Sequence, residues 1–304
     1  MARRALVRRV PCVALVVLAA GLALVRRGAG ESAAERSDPP ARTAARVVSI
    51  NPSLTAILLA LGAREVLVGV DDYSARQNPE VAHLPRVGGL HDTSLEAIVA
   101  LAPDLVVFVP SVEQGDVRAQ LALLRVAHLA FDPTSFDDVL EAIETLGDCT
   151  GRADAARERV AAIRSARERM LRDRAGRPRV RGVLVLTRDP LYVVGGGSFI
   201  DEMLGIAGVE NLGRELAGTY PRASLEWLVA ARPELIVDAG GGAEAARAFW
   251  SRWPSLPAVR DGRVVSIPEG VATLPGPYLD RGLETLARAV ETGDRSVAGS
   301  RGVR

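Results

Sequence analysis

The chain has 304 residues, 48% of them apolar and 25% charged, which is ordinary for a globular protein and sufficient for two domains. All 38 basic residues are arginine, and six of them precede residue 31, so the remainder carries 32 arginines against 37 acidic residues. A mildly acidic body argues against nucleic acid as a partner.

The first 45 residues have the composition of a targeting segment followed by a tether. Four arginines precede an apolar run that starts at Val10, and this run is shorter than the roughly 20 residues of a membrane span. Residues 1–30 are therefore predicted to be a signal peptide that directs export of the protein. Because two arginines follow the run directly, an uncleaved N-terminal anchor remains the alternative. Residues 31–45, rich in Ala, Ser, Glu, Arg and Pro, are predicted to be a disordered tether.

From residue 46 onward, short β-branched runs alternate with helical patterns. The predicted strands are 46–50, 66–70, 104–109, 127–131, 180–187, 234–239 and 263–268, and the predicted helices are 53–62, 94–102, 116–124, 151–176, 198–206, 224–232, 243–251 and 278–291. This alternation is typical of an α/β fold with mostly parallel sheets. Serines at 53, 94, 198 and 224 are placed to cap their helices.

The helix at 151–176 divides the pattern into two similar halves. At about 1.5 Å per residue it is long enough to cross a small domain. We therefore predict an N-terminal α/β lobe over 46–150, a bridging helix over 151–176 and a C-terminal α/β lobe over 177–292. Residues 293–304 are expected to form a disordered tail.

Each half contains one copy of a repeated segment. "SLEAIVALAPDLVV" begins at Ser94 and "SLEWLVAARPELIV" at Ser224, with eight identical positions out of fourteen. In both copies a glutamate lies in the first helical turn, Glu96 and Glu226. A carboxylate there gains about 0.3–1 kcal/mol from the helix dipole, which does not require the same position in both halves.

The sequence resembles a known family over residues 46 to about 291. "RVVSINPSLTAILLALG", "VLVGV", "LPRVGG" and "SLEAIVALAPDLVV" in the first half resemble the substrate-binding proteins of ABC importers for cobalamin, haem and iron–siderophores. "DPLYVVGGGSFIDEMLGIAGVENL", "YPRASLEWLVAARPELIV" and "PGPYLDRGLETLARAV" match in the second half. The resemblance implies two lobes bridged by one long helix, with a transported ligand, rather than a cofactor, in the cleft between them. A monomer is expected.

The resemblance also assigns a role to the repeated glutamates. In the family one surface glutamate per lobe docks onto arginines of the inner-membrane permease, and these positions fall on Glu96 and Glu226. Arg–carboxylate pairs are charge-assisted and can be bidentate, so two of them fix orientation on a two-fold partner.

Four tyrosines are expected in loops beside the cleft: Tyr73, Tyr192, Tyr220 and Tyr278. Aromatic rings with a polar end suit a large, flat, partly polar ligand. The resemblance matches the first three to aromatic positions of cobalamin-binding members, so cobalamin or a related corrinoid is the expected ligand. Leu90 stands where one such member has a tryptophan, and His91 is a further candidate contact.

The sequence also allows other functions besides corrinoid binding. Haem binders of the family place a tyrosine in "VGY", where this chain has "VGG" at 87–89. A ferric siderophore would use cleft arginines, of which Arg76, Arg188, Arg214 and Arg222 are candidates. A metal site is not expected because the second lobe has no histidine, and no catalytic motif is complete, so an enzyme is not expected. An interaction module without a small ligand is a third class.

Overall fold

The computed structural model describes residues 43–89, 92–110, 117–268 and 270–300, with side chains up to residue 292. It forms two α/β lobes with mostly parallel sheets, which confirms the predicted fold class. None of the helices in these ranges combines the length and the hydropathy needed to cross a membrane. The predicted signal peptide at 1–30 lies outside the described residues.

The first lobe contains a four-stranded parallel sheet in the order β2-β1-β3-β4. Its elements are β1 (Val47–Ser49), α1 (Pro52–Ala60), β2 (Leu67–Val70), α2 (Asp72–Gln77), α3 (Leu95–Ala100), β3 (Leu105–Phe108), α4 (Val117–Leu123), β4 (His128–Ala130) and α5 (Phe136–Cys149). Alternate residues of β3 enter different apolar clusters, Val107 on one face and Val106 on the other. Both faces of the sheet are thus buried, which explains why its strands are largely apolar.

The second lobe repeats this design with a sheet in the order β6-β5-β8-β9, and β7 also pairs with β5. The remaining elements are α6 (Ala153–Arg174), β5 (Val180–Arg188), β6 (Leu191–Val193), α7 (Phe199–Ile206), β7 (Val209–Asn211), α8 (Leu225–Ala231), β8 (Leu235–Asp238), α9 (Ala243–Trp250), α10 (Pro257–Arg260), β9 (Val264–Ser266) and α11 (Leu279–Ser300). β6 runs antiparallel to β5, and the other strand pairs are parallel.

Helix α6 lies between the lobes and is attached to both. Arg167 Nη1 lies 3.1 Å from Asp137 Oδ1 on α5, in the first lobe. Arg159 donates from Nε to the Pro277 carbonyl oxygen at 2.6 Å and pairs with Asp280 at the start of α11. The apolar side of α6 joins one continuous cluster that contains side chains of both lobes. The bridging helix is therefore part of a shared core.

The two repeat copies fold in the same way. Ser94 Oγ accepts the backbone N–H of Ala97 at 3.1 Å, and Ser224 Oγ accepts that of Trp227 at the same distance. Each copy then reaches a non-glycine residue with positive φ at its ninth position, 42° at Ala102 and 51° at Arg232. Because each of these residues precedes a proline, the helix stops and the chain enters the central strand of its lobe.

Several boundaries differ from the prediction, and the structure adds α2, β6 and β7, which were not predicted. The first helix is capped by Asn51, whose side chain accepts the Ser53 N–H at 2.9 Å, so Ser53 lies inside the helix. The expected tether ends earlier, because Ala44 is buried and donates its N–H to the Cys149 carbonyl at 2.8 Å. Helix α11 continues to Ser300, into the segment that was expected to be a disordered tail.

Candidate functional site

The carboxyl end of β2 begins the candidate site in the first lobe. The buried Asp71 carboxylate accepts the N–H groups of Tyr73 at 2.8 Å and Ser74 at 2.9 Å. These hydrogen bonds start α2, so Tyr73 lies in the first turn of a helix, whereas a loop was expected. Burial raises the pKa of Asp71, and the hydrogen bonds from Ser74 and Tyr73 oppose that shift. In α/β proteins the carboxyl ends of parallel strands are where ligands bind.

Tyr73 lies close to a cation and to a glycine turn. The Arg76 guanidinium carbon is 4.6 Å from the centre of the Tyr73 ring. A Cβ atom at Gly89 would lie 3.9 Å from Tyr73 Cε2. The turn that contains Gly89 leads to Leu90 and His91, which both lie outside the described residues.

Two further tyrosines lie on adjacent segments of the second lobe. Tyr192 lies in β6, paired with Thr187 near the carboxyl end of β5, and not in a loop as expected. It also forms an antiparallel bridge with Arg222. Tyr220 belongs to the segment that contains Arg222, and both rings contact the shared core. The structure therefore brings Tyr192 and Tyr220 together at the edge of the second sheet.

Tyr220 has a hydrogen-bond partner within the protein that was not predicted from the sequence. Burial raises the pKa of its hydroxyl well above the ordinary range, and a hydrogen bond with Ser198 opposes this shift. Ser198 is itself the N-cap of α7, where its Oγ accepts the Asp201 N–H at 3.1 Å, as predicted. Tyr220 thus has a structural partner in addition to any contact with a ligand.

The glycine run 195–197 is explained in part by packing. The Gly195 N–H donates to the Thr219 carbonyl at 2.8 Å, and a Cβ atom at Gly195 would collide with the carbonyl oxygen of Gly218. At Gly195 the close neighbour is the segment of the chain that carries Tyr220.

Tyr278 is the most exposed of the four tyrosines. Its side chain is 41% exposed, and the residue directly precedes α11. The guanidinium carbons of Arg159 and Arg281 lie 5.4 Å and 4.2 Å from the centre of its ring. It therefore lies beside the bridging helix and close to two cations.

A buried carboxylate that the sequence analysis missed orders the carboxyl ends of β5 and β8. Asp238 is fully buried and accepts Nε and Nη2 of Arg188, both at 2.8 Å. It also accepts the Gly240 N–H at 2.9 Å and the Trp250 indole N–H at 2.5 Å. The aspartate in the apolar run "ELIVDA" was the sequence signal for this residue. An aspartate in a buried strand predicts nearby donors or a cation, because a buried carboxylate needs them.

The four arginines considered for an anionic ligand differ in their partners. Arg188 is neutralised by Asp238, and Arg214 Nε lies 2.7 Å from Oδ1 of the buried Asp201. Arg76 Nε donates to the Asp72 carbonyl, and Arg222 is exposed. At least two of the four positive charges are therefore compensated by carboxylates of the protein itself.

The histidines that are described have structural surroundings. His83 Nε2 lies 2.9 Å from Arg64 Nη2, and His128 is buried in β4 beside the Phe108 ring, at 6.1 Å between ring centres. Among the described residues there is no cluster of three or more His, Cys, Asp or Glu side chains that could hold a metal ion.

Glu96 and Glu226 are both exposed in the first turn of their repeat helices. The pKa of Glu226 lies below its ordinary value because the carboxylate accepts hydrogen bonds from its own backbone N–H and from the Ser224 side chain. Glu226 is therefore ionised at neutral pH and available to a cationic partner.

The comparisons with known proteins agree with this architecture. The profile of the family described as "Periplasmic binding protein" matches residues 47–271. A vitamin B12-binding protein of Yersinia pestis (strain Pestoides F) is 29% identical over 215 residues, which are 69% of this chain and 76% of that protein.

Two solved structures also share this fold. One is the periplasmic vitamin B12 binding protein BtuF of Vibrio cholerae, with a TM-score of 0.71, 23% identity, and coverage of 83% of this chain and 98% of the other. The other is the periplasmic heme-binding protein RhuT from Roseiflexus sp. RS-1 in apo form, with a TM-score of 0.69, 25% identity, and coverage of 82% and 98%. The family consists of substrate-binding transport proteins and not of enzymes, and its members bind the ligand that is transported. The chain belongs to the periplasmic binding protein family.

Proposed function

We propose that this chain is the substrate-binding component of an ABC importer that captures cobalamin, or a related corrinoid, and delivers it to an inner-membrane permease. The proposal is supported above all by tyrosines at the carboxyl ends of both sheets, Tyr73 on one lobe and Tyr192 with Tyr220 on the other. Aromatic faces on opposite sides of a cleft provide a large contact area for a flat ligand. The matched relative of Yersinia pestis is itself called a vitamin B12-binding protein.

Two of the four arginines considered for an anionic ligand offer it reduced attraction. Asp238 and Asp201 are paired with Arg188 and Arg214, whereas Arg76 and Arg222 remain as candidate contacts for an anion. A ferric siderophore, which is often anionic, would gain less from this edge than from free arginines. Gly89 in the "VGG" turn offers no side chain to a haem iron. Ferric siderophores and haem are the alternative ligands.

Docking, localisation and oligomeric state complete the proposal. Glu96 and Glu226 are proposed to contact arginines of the permease, one per lobe. The protein is proposed to act as a monomer in the periplasm, exported by residues 1–30 or held to the membrane by them. Leu90, His91 and Tyr278 are proposed as further ligand contacts.

Titration of the purified protein with cyanocobalamin, hemin and a ferric hydroxamate siderophore tests the ligand by calorimetry. We expect saturable binding of cyanocobalamin at micromolar or lower concentration, weakened about tenfold or more by Tyr73→Ala and by Tyr192→Ala, because each loses a large buried contact. Leu171→Ala, an exposed apolar residue on α6, is the control and should bind normally. Tight binding of hemin or of the siderophore, without binding of cyanocobalamin, would refute cobalamin as the ligand and assign the other compound instead. No binding of any of the three would favour an interaction module.

A further inference from the structure

The two repeat helices expose the same set of side chains. In α3 the exposed residues include Glu96 and Val99, and in α8 they include Glu226 and Val229. Val99 is 43% exposed and Val229 is 39% exposed. In each helix the glutamate and the valine are three positions apart, so they lie on one face. An exposed alanine follows each valine, at residues 100 and 230.

Folding does not account for a valine at this place. The long helix α6 fills its exposed positions largely with charged side chains, such as Arg157, Glu158 and Glu168. Valine is a weaker helix former than arginine or glutamate, so it gains nothing at an exposed position. One exposed apolar residue is normal in any protein. The same exposed valine at the sixth position of both copies indicates a shared use.

We infer that Val99 and Val229 are the apolar contacts through which each lobe binds the permease, next to the carboxylates of Glu96 and Glu226. This inference rests on the proposed function and extends it from two charges to two equivalent patches. A partner with two-fold symmetry presents the same surface twice, and the duplicated acid–valine pair provides two matching surfaces for it. Protein interfaces combine an apolar centre with polar contacts, and each patch contains both.

The two kinds of side chain make different contributions to binding. Charged groups mainly speed association and lose their effect as the salt concentration rises. Apolar contacts mainly slow dissociation and are insensitive to screening. Changes at the valines and changes at the glutamates are therefore distinguishable in one kinetic experiment.

The test measures binding of the loaded protein to its cognate permease in lipid nanodiscs, by surface plasmon resonance at low and high salt. We expect Val99→Ser and Val229→Ser each to weaken binding about threefold and the double variant about tenfold, because effects at distant sites add in free energy. The loss should be in the dissociation rate and should persist at high salt. Leu123→Ser is the matched control, since Leu123 is 83% exposed on α4 and lies outside the repeat. Affinity for the small ligand should remain that of the parent protein.

The glutamate double variant, Glu96→Gln with Glu226→Gln, separates this inference from the proposed function. If it weakens docking while the valine double variant binds like the parent, the valine patches are refuted and the proposed docking stands. If neither double variant changes docking, both proposals fail. An equal loss in Leu123→Ser would also overturn the inference, because the effect would not be specific to the repeat helices.

Discussion

Replacing Asp238 by alanine tests whether the buried ion pair at the carboxyl end of β8 holds the second lobe together. Asp238 has no exposed surface and accepts four hydrogen bonds, two from Arg188 and one each from Gly240 and Trp250. The variant leaves the indole N–H without its partner, which costs about 1–3 kcal/mol. It also leaves the Arg188 guanidinium, whose side chain is 12% exposed, without a counter-charge.

The expected loss in the free energy of unfolding is about 3–5 kcal/mol, the range for removing one partner of a buried pair. Urea denaturation of the purified protein, followed by circular dichroism, measures it. Asp261→Ala is the control, because Asp261 pairs with Arg260 at the surface and such pairs contribute about 1 kcal/mol or less. A double variant with Arg188→Leu and Asp238→Leu should lose less than Asp238→Ala, since no unpaired charge remains. A loss in Asp238→Ala no larger than in the control would refute the reasoning.

Two further predictions concern single residues near the tyrosines. Gly195→Ala should destabilise the protein by about 1–3 kcal/mol, because the new Cβ atom would clash with the Gly218 carbonyl oxygen. Gly205→Ala, which lies in open space on α7, should stabilise the protein by about 0.5–1 kcal/mol. Thermal denaturation compares the two variants, and equal stability would contradict the packing argument. Because burial raises the pKa of Asp71, the folded protein binds the proton of this carboxyl group more tightly than the unfolded chain does. Protonated Asp71 therefore contributes to stability below the ordinary pKa of 3.8, and this contribution is lost as the pH rises through the folded pKa. Asp71→Asn should therefore lose less stability than the parent in urea denaturation as the pH rises from 3.8 through the folded pKa, and an identical pH dependence would refute this assignment.

The order of the elements was predictable because the chain is locally consistent. Buried parallel strands require uninterrupted apolar runs, and helices between them carry serine caps, so "DLVVFV" and "ELIV" were recognised as strands and Ser94, Ser198 and Ser224 as caps. The cap at Asn51 was missed because both Asn51 and Ser53 can cap, and the position of Pro52 decides between them.

The surroundings of the site residues were harder to predict from the sequence. Tyr73 was expected in a loop because α2 is short and polar, and its start depends on a buried carboxylate that composition does not reveal as buried. The partners of Arg188 and Arg214 are distant in sequence and meet only through strand pairing and loop packing. The exposed valines of the repeat were visible as identical letters, but whether they face solvent depends on which side of the helix the sheet covers.

The shared core determines how the two proposed docking patches are spaced. Side chains of α5, α6, α7 and α11 interlock in a single interior that belongs to neither half alone. Ile98 of α3 and Leu228 of α8 belong to two other apolar clusters, so the separation of these helices depends on buried residues outside both of them. A cavity opened beside Ile163 in that interior would alter the fit to a two-fold partner without changing any residue at the surface.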